Sequence, residues 1–487
     1  MKSIVGLSPL LDRNSEVPVY KQLYQYIRRQ IESGRLKEND RLPPIRQLSA
    51  HLLIGKNTVE TAYQQLLAEG YVQSKPRSGL LVLPVPVQPM AGREEAAGIP
   101  LRSGEIAEGG AEASSTAIVD FQYGDIALER FPLAAWKRCL TEALTGDRRQ
   151  TLGYGELQGN GELRREIARY LYGARGIVCS SEQIFLAGGT QHAISLLCQL
   201  LLSAEEPFGM EDPGYDGVRT VLSNHRIPLV PIPYDGEGLD LAALKRSGAK
   251  AVYVTPAHQF PLGSVMPVGQ RSRLLKWADE TDGIILEDDY NSEFRYQGQP
   301  IPPLKAMDAE DRVVYLGTFS KSFMPALRLS YMVLPLRLVD NFRDRLEAYS
   351  QAVSPLLQQA MLLFMKEGHY ARHVRKTRKL YQARSRTLLQ TVQREMGERA
   401  EIIGQKAGLH VLLDVKGREF KELTELAAGC GIRIYSPSRH WMNRESCPRS
   451  YVMLGFGGIE EDRIHEAVRR LKRIWFEDGA SKPKEEE

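Results

Sequence analysis

A 34-residue stretch over 84–117, PVPVQPMAGREEAAGIPLRSGEIAEGGAEASSTA, cuts this chain in two. It is rich in Pro, Gly, Ala, Glu and Ser and shows no sustained apolar period. It cannot bury enough apolar surface to order itself, so it reads as a flexible tether, stiffer at its Pro-rich start. Folding has to happen on either side of it. At 487 residues the chain is also too long for a single hydrophobic core.

The charge divides at the same place. Residues 1–83 hold 12 Lys/Arg against 7 Asp/Glu, a balance of +5, in a chain whose total is +4, so the remainder carries −1. A small basic block ahead of a near-neutral body suggests a head that meets a polyanion; the alternative is an ordinary solvated surface. With 43% apolar and 25% charged residues the composition is that of a globular protein. No apolar run approaches the ~18 residues of a membrane span. The start MKSIVGLSPLLDRNSEV lacks the h-region and cleavage site of a secretory signal. Five cysteines without a CxxC pair argue against a disulfide framework or a zinc site. A cytoplasmic protein without a metal or a membrane is expected.

In the head, Tyr20, Leu23, Tyr24, Ile27 and Ile31 recur at helical spacing, and Gly34 ends the run. Pro43-Pro44 cannot sit inside a helix. Ile45, Leu48, Leu52 and Leu53 mark a second helix, and Ile54-Gly55-Lys56 a turn. A third helix starts near Asn57 or Thr58, with Val59, Ala62, Tyr63, Leu66 and Leu67 inward and Gly70 as its stop. A hairpin follows, with its tip at 75–79. Three helices and a hairpin describe a winged helix-turn-helix over 15–83. Such a fold lays its third helix in the major groove of DNA and its wing near the minor groove. The segments PVYKQLYQYIRRQIESG, RLPPIRQLSAHL and NTVETAYQQLLAEGYV resemble the DNA-binding domain of the GntR family of bacterial regulators. The resemblance implies DNA contacts by Arg46, Lys56, Asn57, Thr58, Arg77 and Gly79. Two positions depart from it. The turn has Ile54-Gly55-Lys56 in place of a hydroxyl residue followed by arginine, and position 60 is glutamate where some relatives are basic.

From 118 to 475 apolar strand-like runs (Gln183–Ala187, Ala251–Thr255, Gly283–Glu287, Val313–Gly317) alternate with helical stretches such as Gln191–Leu202 and Arg271–Asp279. That is α/β alternation with a mainly parallel sheet, whose ligands bind at the strand ends. Four such ends carry chemistry. Gly188-Gly189-Thr190 opens a helix toward an anion. Asp288-Asp289 follows an apolar strand, where a carboxylate needs a partner such as a pyridinium N–H; helix capping is the plainer alternative. Thr318, Ser320 and Arg328 suit a phosphate, and Lys321 between them offers an amine for an aldehyde. Tyr215 offers an aromatic face. Together these meet the needs of pyridoxal 5'-phosphate.

The order, with 33 residues between Asp288 and Lys321, resembles the fold-type I aminotransferases. By that resemblance Lys321 forms the Schiff base, Asp288 meets the pyridine nitrogen, Tyr290 the ring hydroxyl, and Tyr215 stacks on the ring. Gly189, Thr190, Thr318, Ser320 and Arg328 hold the phosphate, Tyr154 reaches the phosphate of a neighbouring subunit, and Arg439 takes a carboxylate. A winged head on such a body, with TPAHQFPLG, LEDDYNSEF and YLGTFSKSFMPALRLSYMVLP, resembles the MocR/GabR subfamily of GntR regulators. This implies a head-to-tail, domain-swapped homodimer on promoter DNA. A small amino acid or related amine would be sensed as an external aldimine. Phe260 replaces the asparagine of the aminotransferase TPxxQNPTG loop, which weakens the case for full transamination. Gly217 stands where a GabR-type relative carries an arginine; this leaves Arg439 as the one carboxylate anchor in an expected roomier pocket. Two readings stay open beside the regulator: an aminotransferase with an accessory head, and a DNA-binding scaffold without cofactor. The end, 476–487, reads as a solvated tail.

Overall fold

The computed structural model describes residues 7, 9, 11–12, 15, 17–75, 79–84, 119–203, 205–234, 238–296, 302–404 and 407–477. The tether beyond residue 84, Arg77 at the wing tip and residues 478–487 of the expected tail lie outside them. The chain forms two units, Met1–Glu112 and Ala113–Glu487. Among the described residues no helix is long and apolar enough to cross a membrane.

The first unit contains α1 (Val19–Glu32), α2 (Ile45–Leu52) and α3 (Lys56–Ala68), followed by the hairpin of β1 (Val72–Lys75) and β2 (Gly79–Val82). Leu23, Tyr24, Ile27 and Ile31 of α1 meet Val59, Ala62, Tyr63 and Leu66 of α3 in one core, which Leu48, Val72 and Val82 complete. The 3–4 spacing of these residues selects helix and inward face together. The second helix is one residue shorter than the spacing suggests. Leu53 closes it in the left-handed region at φ 51° and is 78% exposed, so it belongs to the turn and not to the core. The turn is therefore Leu53–Gly55, and Lys56 opens α3. The Tyr63 hydroxyl, buried beneath α3, donates to the Pro43 carbonyl at 2.9 Å and fixes α3 against the start of α2.

In the second unit a short β3 (Val119–Asp120) precedes the main sheet. Its strands are β4 (Ile184–Ala187), β5 (Phe208–Asp212), β6 (Leu229–Pro233), β7 (Ala251–Val254), β8 (Ile284–Asp288), β9 (Val313–Thr318) and β10 (Ser330–Val333). Their order in space is β4-β10-β9-β8-β7-β5-β6, and only β10 runs against the others. Strands β4, β7, β8 and β9 are mostly apolar and almost wholly buried, as expected of a sheet covered on both faces. Because β10 is antiparallel, its first residue, Ser330, stands opposite the last residue of β9, Thr318. The carboxyl ends of β4, β5, β7, β8 and β9 and the start of β10 thus meet along one edge.

Toward the C-terminus β11 (Ala400–Ile403), β12 (His410–Val415) and β14 (Tyr451–Gly455) form an antiparallel sheet, and β13 (Ile432–Arg433) pairs with β3. The helices His369–Met396 and Glu461–Phe476 cover it, with Trp475 and Leu471 fully buried. The expected strands fall within one residue of the observed ones. Gln183 ends a short 3-10 helix, Ser181–Gln183, and Asp288 is the last residue of β8 instead of following it.

Removing the Tyr63 hydroxyl strands a carbonyl in the head's core. Tyr63→Phe is expected to destabilise the head by about 1–2 kcal/mol. Urea unfolding of the full chain, followed by circular dichroism, would show a lower midpoint for the head's transition.

Candidate functional site

The sheet edge frames a cavity of about 220 Å³. Thr190, Tyr215, Asp288, Tyr290, Thr318, Ser320, Lys321 and Arg328, eight of the residues singled out from sequence, line it together. Gly189 lies beside Arg328 at φ 106°. A Cβ there would stand 2.2 Å from Arg328 Nη2, so only glycine fits under the guanidinium. Arg328 donates to the Gly188 carbonyl at 3.2 Å. Thr318 Oγ1 accepts from Ser330 Oγ at 2.8 Å and from the Ser320 amide at 3.2 Å. The amide at a helix start, three hydroxyls and a guanidinium thus converge as an anion cradle.

Lys321 is enclosed by this cavity. Its Nζ lies 4.4 Å from the centre of the Tyr123 ring. A Cβ on Gly124 would come within 3.0 Å of the same atom, so the backbone at 124 crowds the amine. Burial lowers the lysine's pKa to about 8, against a smaller opposing pull from Asp125. At that value about a tenth is the free, nucleophilic amine at pH 7, far more than for an ordinary lysine. Opposite, Asp288 Oδ2 accepts from Tyr253 at 2.7 Å, while Oδ1 is buried without a partner. Burial pushes Asp288 up to about 7, helped by Asp289 and opposed by the Tyr253 hydrogen bond. An orphaned carboxylate oxygen at the floor, a low-pKa amine and an anion cradle in one cavity fit pyridoxal phosphate residue by residue.

Tyr290 departs from the expected arrangement. Its hydroxyl lies 2.9 Å from the His258 carbonyl and 2.8 Å from His258 Nδ1. A phenol has one proton, and Tyr290 gives it to the His258 carbonyl, so Tyr290 faces the cavity as an acceptor. Phe260, at the asparagine position, is buried among neutral histidines: burial holds His258 near 4 and His410 near 3.

Two expected residues stand apart from the cavity. Tyr154 is 98% exposed. Arg439 is 62% exposed and pairs through Nε with Asp216 Oδ2 at 3.3 Å. It lies at the rim, since the neighbouring His440 ring packs 4.6 Å from Phe260. The roomier pocket expected at Gly217 is not found, because a Cβ there would be 2.6 Å from the Tyr215 ring, which already fills that space.

Sequence reading missed Tyr123, Gly124, Gln191, Tyr253, Thr255 and Pro325, which also line the cavity. Only Tyr253 left a signal. It is the one polar-tipped residue in AVYV, and in register it opposes Leu286, on the same face as Asp288.

In the head, Arg46, Lys56 and Asn57 are exposed at the starts of α2 and α3, with Thr58 half-buried beside them. Gly79 opens β2 at φ 79°, with the Arg41 guanidinium 3.3 Å from where a Cβ would be. Arg77 lies outside the described residues.

Comparison with known proteins matches residues 116–436 to the family described as aminotransferase class I and II, and 19–82 to that described as bacterial regulatory proteins, gntR family. The chain is 39% identical to the uncharacterized HTH-type transcriptional regulator YdeL of Bacillus subtilis, over 97% of this chain and 100% of that one. It is 34% identical to the probable rhizopine catabolism regulatory protein MocR of Rhizobium meliloti, over 96% of each. The Pyrococcus horikoshii kynurenine aminotransferase superposes with a TM-score of 0.68 at 25% identity, covering 76% of this chain and 93% of that one.

Glu211 and Glu287 are also pushed up to about 7 by burial. With Asp288 they hold protons in the folded, cofactor-free protein that the unfolded chain releases near pH 4. The folded state binds more protons across this window, so stability falls as pH rises from about 4 to 7. Asp288→Asn is expected to remove its share of that slope. Urea midpoints of cofactor-free wild type and variant between pH 5 and 7 measure it.

Proposed function

The chain belongs to the MocR/GabR subfamily of gntR-family transcriptional regulators, with an aminotransferase class I and II body that takes pyridoxal phosphate, and from that premise we propose that it binds promoter DNA and senses a small amino compound at the cavity around Lys321. The observation that carries this reading is the joint presence in one chain of a basic winged head and a cavity that pairs a low-pKa lysine with an orphaned carboxylate oxygen. The proposed boundaries are a head over 15–83, a tether over 84–117, a body over 118–475 and a tail over 476–487.

When bound, pyridoxal phosphate supplies an aldehyde carbon that condenses with primary amines. Lys321 is the amine that would hold it, and burial leaves that amine easy to deprotonate. Asp288 Oδ1 would accept the ring N–H and keep that proton in place. Tyr215 would lie on the ring, and Gly189, Thr190, Thr318, Ser320 and Arg328 would hold the phosphate. Tyr290, its proton already given to His258, would offer the ring oxygen an acceptor only, and Phe260 offers it nothing. Both features favour a site that recognises amines over one that turns them over many times.

At the rim, Arg439 would take the effector's carboxylate in exchange for Asp216. The effector is a small amino acid or related amine. Tyr154 is a large aromatic left wholly exposed, with Leu128, Leu133 and Leu152 exposed as well. This supports a homodimer, head-to-tail and domain-swapped, in which Tyr154 reaches the neighbour's phosphate site. In the head, Arg46, Lys56, Asn57, Thr58, Arg77 and Gly79 form the proposed DNA face.

Lys321→Ala is expected to keep promoter affinity while losing the visible absorbance of the bound cofactor and the response of DNA binding to amino acids; an unchanged response would refute the sensing role. Lys56→Ala is expected to weaken DNA binding and to flatten its salt dependence by about one unit of slope. Gel-shift or anisotropy titrations across a salt series would read this, and wild-type affinity and slope would mean that the DNA face lies elsewhere.

A further inference from the structure

One exposed residue of α3 is explained neither by the fold of the head nor by a phosphate backbone. Val59, Ala62, Tyr63 and Leu66 are buried on the inner face. Lys56, Asn57, Glu60, Thr61 and Gln64 are exposed on the outer one. Residues 56 to 64 run along about 12 Å of helix, the width of a major groove. Glu60 sits at the middle of this stripe and carries its only negative charge.

Within the head the carboxylate has no structural task. Lys56 precedes it by four residues, the less favourable order for a helical ion pair. Among the described residues Glu60 makes no ion pair or side-chain hydrogen bond. On DNA, every phosphate repels it, so an acid here opposes binding unless a donor meets it. An ionised carboxylate only accepts. In the major groove guanine offers acceptors at N7 and O6, and thymine offers an acceptor and a methyl group. Adenine offers an amine, but its N7 acceptor lies directly beside it, a pair that suits an amide. Cytosine presents its N4 amine with no acceptor next to it on the same base.

We propose that Glu60 is a specificity residue of the head, accepting a hydrogen bond from the N4 amine of a cytosine in the operator. Lys56, one turn earlier on the same face, offsets the acid's repulsion by meeting a phosphate. The inference rests on the reading that α3 enters the major groove, and it adds a base that the operator must contain.

The test selects binding sites from a randomised duplex pool at one fixed salt concentration, then titrates each protein on the selected duplex across a salt series. The proteins are full-length and cofactor-loaded: wild type, Glu60→Ala, Glu60→Gln and Lys56→Ala. Wild type is expected to fix a cytosine at one position. Glu60→Ala is expected to accept any base there, with discrimination falling about tenfold or more. Glu60→Gln is expected to move the preference at that position to adenine. The remaining positions should stay as they are, and the slope of affinity against salt should not change, because no phosphate contact is lost. Glu60 is exposed and alanine favours helix, so the variants should fold.

Identical base preferences in wild type and Glu60→Ala overturn the proposal, as does relaxation at a position where wild type selects a base other than cytosine. If either occurs while Lys56→Ala still lowers affinity and salt slope, the head's docking stands and only the role of Glu60 falls. If no protein enriches any site, the DNA reading itself falls, and the proposal with it.

Discussion

A carboxylate and an amine buried in one water-poor cavity are costly to keep, and the architecture of the body is arranged around that cost. Asp288 is held near 7 and Lys321 near 8, each displaced toward its neutral form by burial. One oxygen of Asp288 has no partner at all. Left alone, such groups oppose folding. They persist because the sheet that carries them is apolar and packed on both faces, and because a ligand that supplies a ring N–H and an aldehyde relieves both at once. The free energy of cofactor binding is, in part, relief of strain already present in the protein.

The same reasoning separates a sensing site from a catalytic one. The body has the strand ends, the cradle and the lysine of its aminotransferase relatives. In this cavity Phe260 contributes no polar group, and the Tyr290 hydroxyl is engaged by His258. The buried rings of His410 and His440 pack edge-on against the phenylalanine. Under the proposed function, such a pocket would keep what is needed to hold an amine and reduce what is needed to tune the ring for rapid turnover.

Much of this was legible in the sequence, for identifiable reasons. Buried parallel strands are continuous apolar runs, so their ends stand out, and a lone lysine there has no plain structural explanation. Eight of the ten cofactor-site residues read this way line one cavity. What stayed illegible depends on contacts between distant segments. Gly124 crowds Lys321 across nearly two hundred residues, and Tyr253 meets Asp288 only through the register of β7 with β8. Leu53 looked like core because its apolar character fits the helix period, but backbone closure of α2 turned it outward. The room expected at Gly217 was an inference from size alone, and the Tyr215 ring, two residues away, occupies it.

The reversed strand β10 bears on how an event at Lys321 can travel. The segment from Thr318 to Ser330 leaves the sheet edge and returns to it, and its two ends are hydrogen-bonded side by side. Lys321 and Arg328 therefore hang on a single closed loop, like two hooks on one ring. A movement of one hook therefore bears on the other, because the ring is clasped where it meets the sheet.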